Sequence, residues 1–468
     1  MRTRVLRVLD VGGLPRVFWW VWVSTLVART GAFVAPFLSY YLTRSLGHSA
    51  AFAGFVAALN AGGAAVSAVV GGVLADRVGR RVTLLGALVA SAVTLVALGV
   101  VHSVTLIAVL AFLAGLANNA TRPAIGAIIA DVVPSADRGR AYALNYWAIN
   151  LGFAVAMVSA GAVAAHSYTL LFVGDAIANL ACAVVVFFKV PETRPAVTRL
   201  ASASDAMADH RPARTGSLVD VLRDRIFLGF LGAVLVGAII YSQSATVQPI
   251  MMGNDGLSPG AYGAVAALNG ILIGVLQLPL TTWVRRYSDG SVLATSSFLM
   301  GVGFAVPLLV SAAGHPMGVY AASVVVWTFA EIGTTPPQMA LAAELAPAHL
   351  RGRYQGVNTL VWSIAGIVGP LVGGWALSSV GRAAVPWASL VLGVAGAPAW
   401  LLIGRRAAAR IIVLRAEEAE LVVAVLDADA ATSGMVDATG TVPPVVAAVA
   451  VPPSGSTAGD VVPGPARG

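Results

Sequence analysis

The chain has 468 residues, 58% of them hydrophobic and only 11% charged, with a formal net charge of +8 and a mean hydropathy of +0.84. No soluble core could bury so large an apolar share, so a water-soluble globular domain is excluded and the solvent is lipid. The arginines behind the positive charge sit at many separate loop ends rather than along one face, so the charge gives no reason to expect nucleic acid as a partner.

The amino terminus, MRTRVLRVLDVGGLPR, resembles the basic front of a signal peptide. The apolar run after it is too long and leads into more runs of the same kind, so a retained first span is predicted. A helix needs about 20 mostly apolar residues to cross roughly 30 Å of hydrocarbon. About twelve such segments follow, near 18–41, 50–74, 83–101, 104–130, 141–165, 169–188, 226–252, 261–284, 291–313, 317–343, 354–379 and 385–404. They are continuous and rich in Gly and Ala, which predicts an all-α integral membrane protein rather than a barrel of short alternating strands. The one long polar interruption, 191–225, divides six spans from six. The predicted organisation is a cytoplasmic segment 1–17, an amino-terminal six-helix bundle 18–190, a linker 191–225, a carboxy-terminal six-helix bundle 226–404 and a tail 405–468. Most of the tail is expected to be disordered, because it turns Ala/Val/Pro/Gly-rich with little aromatic content. Cys182, the single cysteine, lies in a predicted helix and leaves no intrachain disulfide to form.

Placing both termini in the cytoplasm puts nearly all of the 29 basic residues on the inner side, from Arg16 through Arg77, Arg80, Arg81, Arg138 and Arg140 to Arg285, Arg286, Arg351, Arg353, Arg405 and Arg406. Only Arg44 and Arg382 fall in outer loops, while Arg29 and Arg122 fall inside helices. The bias of short cytoplasmic loops toward Lys and Arg therefore predicts a multi-pass plasma-membrane protein with both ends inside.

The two halves are related. TRPAIGAIIADVVPSADRGRAYALN at 121–145 recurs as TTPPQMALAAELAPAHLRGRYQGVN at 334–358, with Pro134 and Pro347, Arg138 and Arg351, Arg140 and Arg353, and Asn145 and Asn358 each 213 positions apart. Parallel repeats with a site at their interface near the midplane are a transporter design.

Between the second and third spans, GGVLADRVGRRVTLL concentrates charge in Gly72, Asp76, Arg77, Gly79, Arg80 and Arg81. Read physically, Asp76 stands before the positive amino terminus of the third helix, Gly79 permits a tight turn and the arginines anchor at anionic headgroups. The stretch matches the signature G-x-L-A-D-R-x-G-R-K/R-x-x-L of the major facilitator superfamily, and the chain resembles that family over about 18–405. The resemblance implies two pseudo-symmetric six-helix bundles around a cavity that opens alternately to each side, with this motif acting in closure on the inner side. It also implies a small-molecule substrate and a protein acting as a monomer in the bilayer.

Charges at membrane depth are costly, about 2.5–3.5 kcal/mol each on insertion scales, and usually face a cavity or a partner. Arg29 lies 11 residues into its predicted span, roughly 16 Å deep at 1.5 Å per residue. Arg122 continues a stripe of small and polar residues with Gly115, Asn118 and Gly126 on the fourth span. Glu331 occupies the repeat position of Asn118 and is the one acid expected near a helix centre, where desolvation favours the protonated form. Glu331, with Arg122 and Arg29, is therefore the expected proton-coupling group, a permanent Glu–Arg clamp being the alternative. Asp175 is expected nearer the outer end of the sixth span, in a structural or solvated role. Asn118, Tyr241, Ser244, Gln248, Asn269, Gln277 and Thr335 are the expected walls of a mildly polar cavity, each alone also able to act as interhelical glue. In the eleventh span AGIVGPLVGG supplies Gly369, Pro370, Gly373 and Gly374, expected to form a hinge or close-packing point rather than a ligand contact.

No histidine is placed to ligate a metal within the membrane, and neither a nucleotide-binding motif nor a hydrolase motif stands in a suitable context, so no metal, cofactor or enzymatic activity is expected. The layout is similar to drug:proton antiporters, including R-x-G-x-F at Arg29, Gly31 and Phe33. The antiporter signature G-x-x-x-G-P-x-x-G-G is missing from the fifth span and displaced to the eleventh. The reading is proton-coupled efflux of small amphipathic molecules or drugs. Its alternatives are a proton-coupled importer of a peptide, sugar or other small solute and, more remotely, a membrane sensor that no longer transports.

Overall fold

Long Ala-, Gly- and Leu-rich runs with few interior charges satisfy most backbone groups within the segment by coiling, which is what a lipid environment requires. The computed structural model describes residues 13–134, 137–193, 218–347 and 350–432. Twelve helices of membrane-spanning length run through it: Arg16–Arg44, Ala50–Arg77, Arg80–Val100, Val104–Val132, Arg138–Ala164 and Tyr168–Lys189, then Arg225–Asn254, Pro259–Val284, Asp289–Ala313, Pro316–Glu344, Gly352–Ser379 and Ala384–Ala416. The described residues contain no strand. Most of the basic amino-terminal segment, most of the linker and the end of the tail (1–12, 194–217 and 433–468) lie outside the described residues.

Three spans are interrupted where a continuous helix is predicted, the ninth by a 3-10 turn at Val306–Leu309. The first stops at Thr30 and resumes at Val34. The seventh stops at Ser242, passes through a 3-10 turn at Gln243–Ala245 and resumes at Val247. The last helix continues beyond the predicted end of its span at 404, through AARIIVLRAEEAELVV, to Thr432. That stretch is dense in Ala, Leu, Arg and Glu, strong helix formers. By contact density the chain divides at Ile411 into a large unit, which holds the spans up to that residue, and a small one from Ile412 onward.

Within the large unit the halves meet along two seams, the second span against the eleventh and the fifth against the eighth. The close approaches are made where no side chain intervenes. A Cβ on Gly374 would lie 3.0 Å from the Cα of Gly54, and one on Gly263 would lie 3.0 Å from the Cα of Gly161. These contacts sit toward the face opposite the arginine-rich loops. There Tyr40 donates to the Leu257 carbonyl at 2.7 Å and Tyr262 donates to the Pro36 carbonyl at 3.0 Å, each across the halves. The Tyr40 and Tyr262 rings stack at 5.8 Å, and Phe37 packs edge-on against Tyr262 at 4.7 Å. On the arginine-rich face, side chains added at Gly72, Gly139, Gly352 or Gly356 would meet nothing within 4 Å beyond their own helix. The halves are thus latched on the face opposite the arginine-rich loops, while the arginine-rich face has open space beside these four glycines.

Candidate transport cavity

The break in the first span positions the first polar group. Arg29 is in the last turn before the break, and the amide of Val34, which opens the next helix, donates to Asp175 Oδ2 at 3.1 Å. A carboxylate there compensates an orphan donor and the positive helix end. Asn179, one turn along the sixth span, donates to Asp175 Oδ1 at 3.0 Å, and Asp175 is only 6% exposed. A cavity of about 400 Å³ opens beside it, lined by Arg29, Asn118, Arg122, Tyr142, Asn145, Tyr146, Asp175 and Asn179. The bare backbone of Gly152 lies against the Arg29 stem and leaves it room.

A second cavity of about 270 Å³ lies in the other half, lined by Tyr241, Glu331, Thr334, Thr335, Gln338, Asn358 and Trp362. Glu331 Oε2 accepts from Asn269 Nδ2 at 2.8 Å and Oε1 accepts from the Tyr241 hydroxyl at 3.1 Å. Asn269 also donates to Thr328 at 3.1 Å, and Thr335 donates to the Glu331 carbonyl at 3.0 Å. Trp327 and Trp362 stand edge-on to Tyr241 at 6.0 and 6.4 Å. The two cavities adjoin at Tyr146, which lines the first and is close enough to feel the Glu331 charge and to meet Gln277 of the eighth span.

The structure does not bring the three expected coupling groups together: Arg29 and Arg122 line one cavity and Glu331 the other. Among the described residues no ion pair joins them. Asn118, Tyr241 and Thr335 face the cavities, and Asn269 stands behind Glu331 and holds it. Gln248 is elsewhere: 5% exposed, it donates to Ser323 Oγ at 3.0 Å within helix packing. Ser244 lies in the 3-10 turn and lines neither cavity. Both departures have one cause. The face shared by Tyr241, Ser244 and Gln248 holds only for an unbroken helix, and the turn at 243–246 resets the register. Gln243, buried in that turn, instead donates across the gap to the Gly369 carbonyl at 3.0 Å.

Around the 71–85 stretch, Gly72 is in the second span, and Asp76 and Arg77 are exposed at its end. The carboxylate on the third helix's amino terminus is Glu192, not Asp76. Its Oε1 accepts from the Arg80 amide at 2.9 Å and its Oε2 from the Arg81 amide at 3.1 Å. Gly79 makes the approach possible at φ 123°, a backbone state that strains any other residue, with a Cβ there only 2.5 Å from Glu192 Oε2. Arg80 pairs with Asp131 at 3.0 Å, and Arg81 donates to the Phe187 carbonyl. In the eleventh span, Gly369 and Gly373 lie against Ser242 and Gln243, and Gly374 and Pro370 lie against the second span.

The sequence profile of the Major Facilitator Superfamily matches residues 21–250 and 230–432. The chain belongs to this superfamily. The facilitator is 28% identical over 385 residues to the uncharacterized MFS-type transporter YttB of Bacillus subtilis, covering 81% of this chain and 93% of that one. It is 22% identical over 406 residues to the multidrug resistance protein MdtH of Escherichia coli, covering 83% and 95%. In fold it resembles the crystal structure of a peptide transporter POT in complex with sulfate, with a TM-score of 0.67 at 18% identity over 86% of this chain and 96% of that one. Membership makes the facilitator a multi-pass membrane transporter and not an enzyme.

Five residues in or around the facilitator's site escape a reading of the sequence. Tyr142, Tyr146 and Asn150 recur every four residues on the fifth span, a stripe that could have marked a cavity face. Asn179 follows Asp175 by one turn, a spacing that signals a held carboxylate rather than a solvated one. Glu192 carries no local signal, because its partners are more than 100 positions away.

Proposed function

We propose that this transporter is a proton-coupled exporter of small amphipathic molecules, with Glu331 as the proton carrier. The observation that carries the reading is the company Glu331 keeps. A carboxyl in the middle of the tenth span is held by two neutral donors, Tyr241 and Asn269, and by no cationic side chain among the described residues. Neutral donors orient a carboxyl without locking it in its charged form, as an arginine would, so it can gain and lose a proton as the cavity changes face. The permanent clamp weighed as the alternative needs an arginine partner.

Efflux rather than uptake is supported by the relative named a multidrug resistance protein. A relative in Planococcus maritimus, 26% identical over 362 residues and matching 72% of this chain and 84% of that one, is named a Na(+), Li(+), K(+)/H(+) antiporter. The arginine bias supports a plasma-membrane location with both termini cytoplasmic. Asp76 and Arg77, exposed at the end of the second span, would act in closing the arginine-rich face when the cycle turns over; Gly369, Pro370, Gly373 and Gly374 would serve as the close-packing point of the other face.

The test is Glu331→Gln in proteoliposomes, which keeps the shape and mimics the protonated form. It should abolish transport driven by a pH gradient and preserve substrate exchange at equal pH. Intact gradient-driven accumulation would refute the proton role, and movement of substrate with the proton rather than against it would make the protein an importer.

A further inference from the structure

Two arginines face one cavity at membrane depth, and among the described residues neither forms an ion pair. Neither Arg29 nor Arg122 forms a salt bridge, and the hydrogen bonds among the described residues include none from either guanidinium. A structural arginine in a membrane would be donating to backbone carbonyls or a carboxylate. The one nearby acid, Asp175, is spoken for: the Val34 amide and the Asn179 side chain take an oxygen each, and it stays beyond ion-pair distance of Arg29. The cavity wall is thus left with two guanidiniums against one carboxylate whose hydrogen-bonding oxygens are taken by other donors, an excess of positive charge. Such an arrangement costs energy unless something anionic completes it.

We propose that Arg29 and Arg122 form an anion subsite, so that the transported molecules are amphipathic organic anions or zwitterions whose carboxylate, sulfonate or phosphonate docks between the two guanidiniums. The planar fork of arginine suits such groups and binds them through charge-assisted hydrogen bonds. Tyr142 and Tyr146, on the same wall, offer ring faces to the apolar body of the ligand. Glu331, at the far side of Tyr146, stays free for the proton. The proposal takes from the reading above only that this cavity holds substrate; it does not depend on proton coupling.

Equilibrium binding to the purified full-length protein in neutral detergent tests it, with rhodamine B, which carries a free carboxylate, and its ethyl ester, which does not, followed by fluorescence polarisation. The acid should bind roughly tenfold or more tighter than the ester, the factor expected of one charge-assisted contact. Arg122→Gln and Arg29→Gln should each collapse that preference to near unity, while Arg122→Lys retains most of it and reports on folding. Equal affinities in the wild type, no binding of either probe, or a preference unchanged in both Gln variants would overturn the subsite. So would displacement of bound rhodamine B by phosphatidylglycerol but not by an excess of benzoate, which would assign the arginines to a lipid headgroup. Acid-selective binding without gradient-driven transport would leave the subsite standing and remove the proton coupling instead.

Discussion

Replacing Tyr40 and Tyr262 together by phenylalanine removes two hydroxyls and nothing else from the latch between the halves. Each hydroxyl donates to a carbonyl of the opposite half, at 2.7 and 3.0 Å, so both bonds exist only while that face is closed. The stacked rings and their buried area survive the change. A typical intramolecular hydrogen bond contributes about 0.5–1.5 kcal/mol net, so the pair contributes about 1–3 kcal/mol to closure. That free energy corresponds to a shift of roughly 5- to 150-fold toward the state open on that face. Spin labels on cysteines at Ser45 and His315, both exposed on that face in opposite halves, report the separation by pulsed dipolar spectroscopy; the native Cys182 is buried and stays silent. The wild type should give one short distance and the double variant an added longer one. A folded double variant with an unchanged distance distribution would refute the claim that these bonds bias the equilibrium.

Gly374→Leu forces a side chain against the Ala50 and Gly54 backbone, and overpacking of this kind costs about 1–3 kcal/mol. The same spin-label pair should show the face propped open and turnover should fall, while equilibrium binding of substrate stays near wild type; loss of binding with normal closure would make the glycine a ligand contact. Asp255 receives both the Arg382 guanidinium and the Tyr320 hydroxyl on one oxygen at 2.6 Å. Asp255→Ala should destabilise the protein by about 1–2 kcal/mol, the low end for charged bonds because Arg382 is about one-third exposed. Thermal unfolding in detergent measures this, and an unshifted midpoint would show the cluster to be energetically idle.

The spans were legible because a lipid solvent leaves little choice: a run of about 20 apolar residues has to be a helix. The repeat at 213 positions likewise announced two related halves. What failed was anything that depends on a helix being unbroken. Gln248 and Ser244 left the expected face of Tyr241 because four residues between them abandon the α register, and QSAT carries no Pro or Gly to announce it. Arg29 and Glu331 were legible as membrane-depth charges but not as residents of different cavities, since pairing across halves depends on which face is closed. For Asp175 the structural of the two expected roles fits the contacts, and what the sequence could not show is the partner, because the interruption at 31–33 presents the Val34 amide to the sixth span's carboxylate.

The repeat relates Asn118 to Glu331, so duplication built two matching scaffolds and left them with unlike chemistry. One wall of the central space carries positive charge at Arg29 and Arg122, and the facing wall carries an acid. While Glu331 is ionised, a molecule entering would meet an electric field with a component directed across the protein rather than along the membrane normal. Anything with a separated charge would turn to lie crosswise, so the two bundles would hold its opposite ends. The rocking of one bundle against the other would then pull on the cargo itself, and a compound too short to bridge both walls would be gripped by only one moving part.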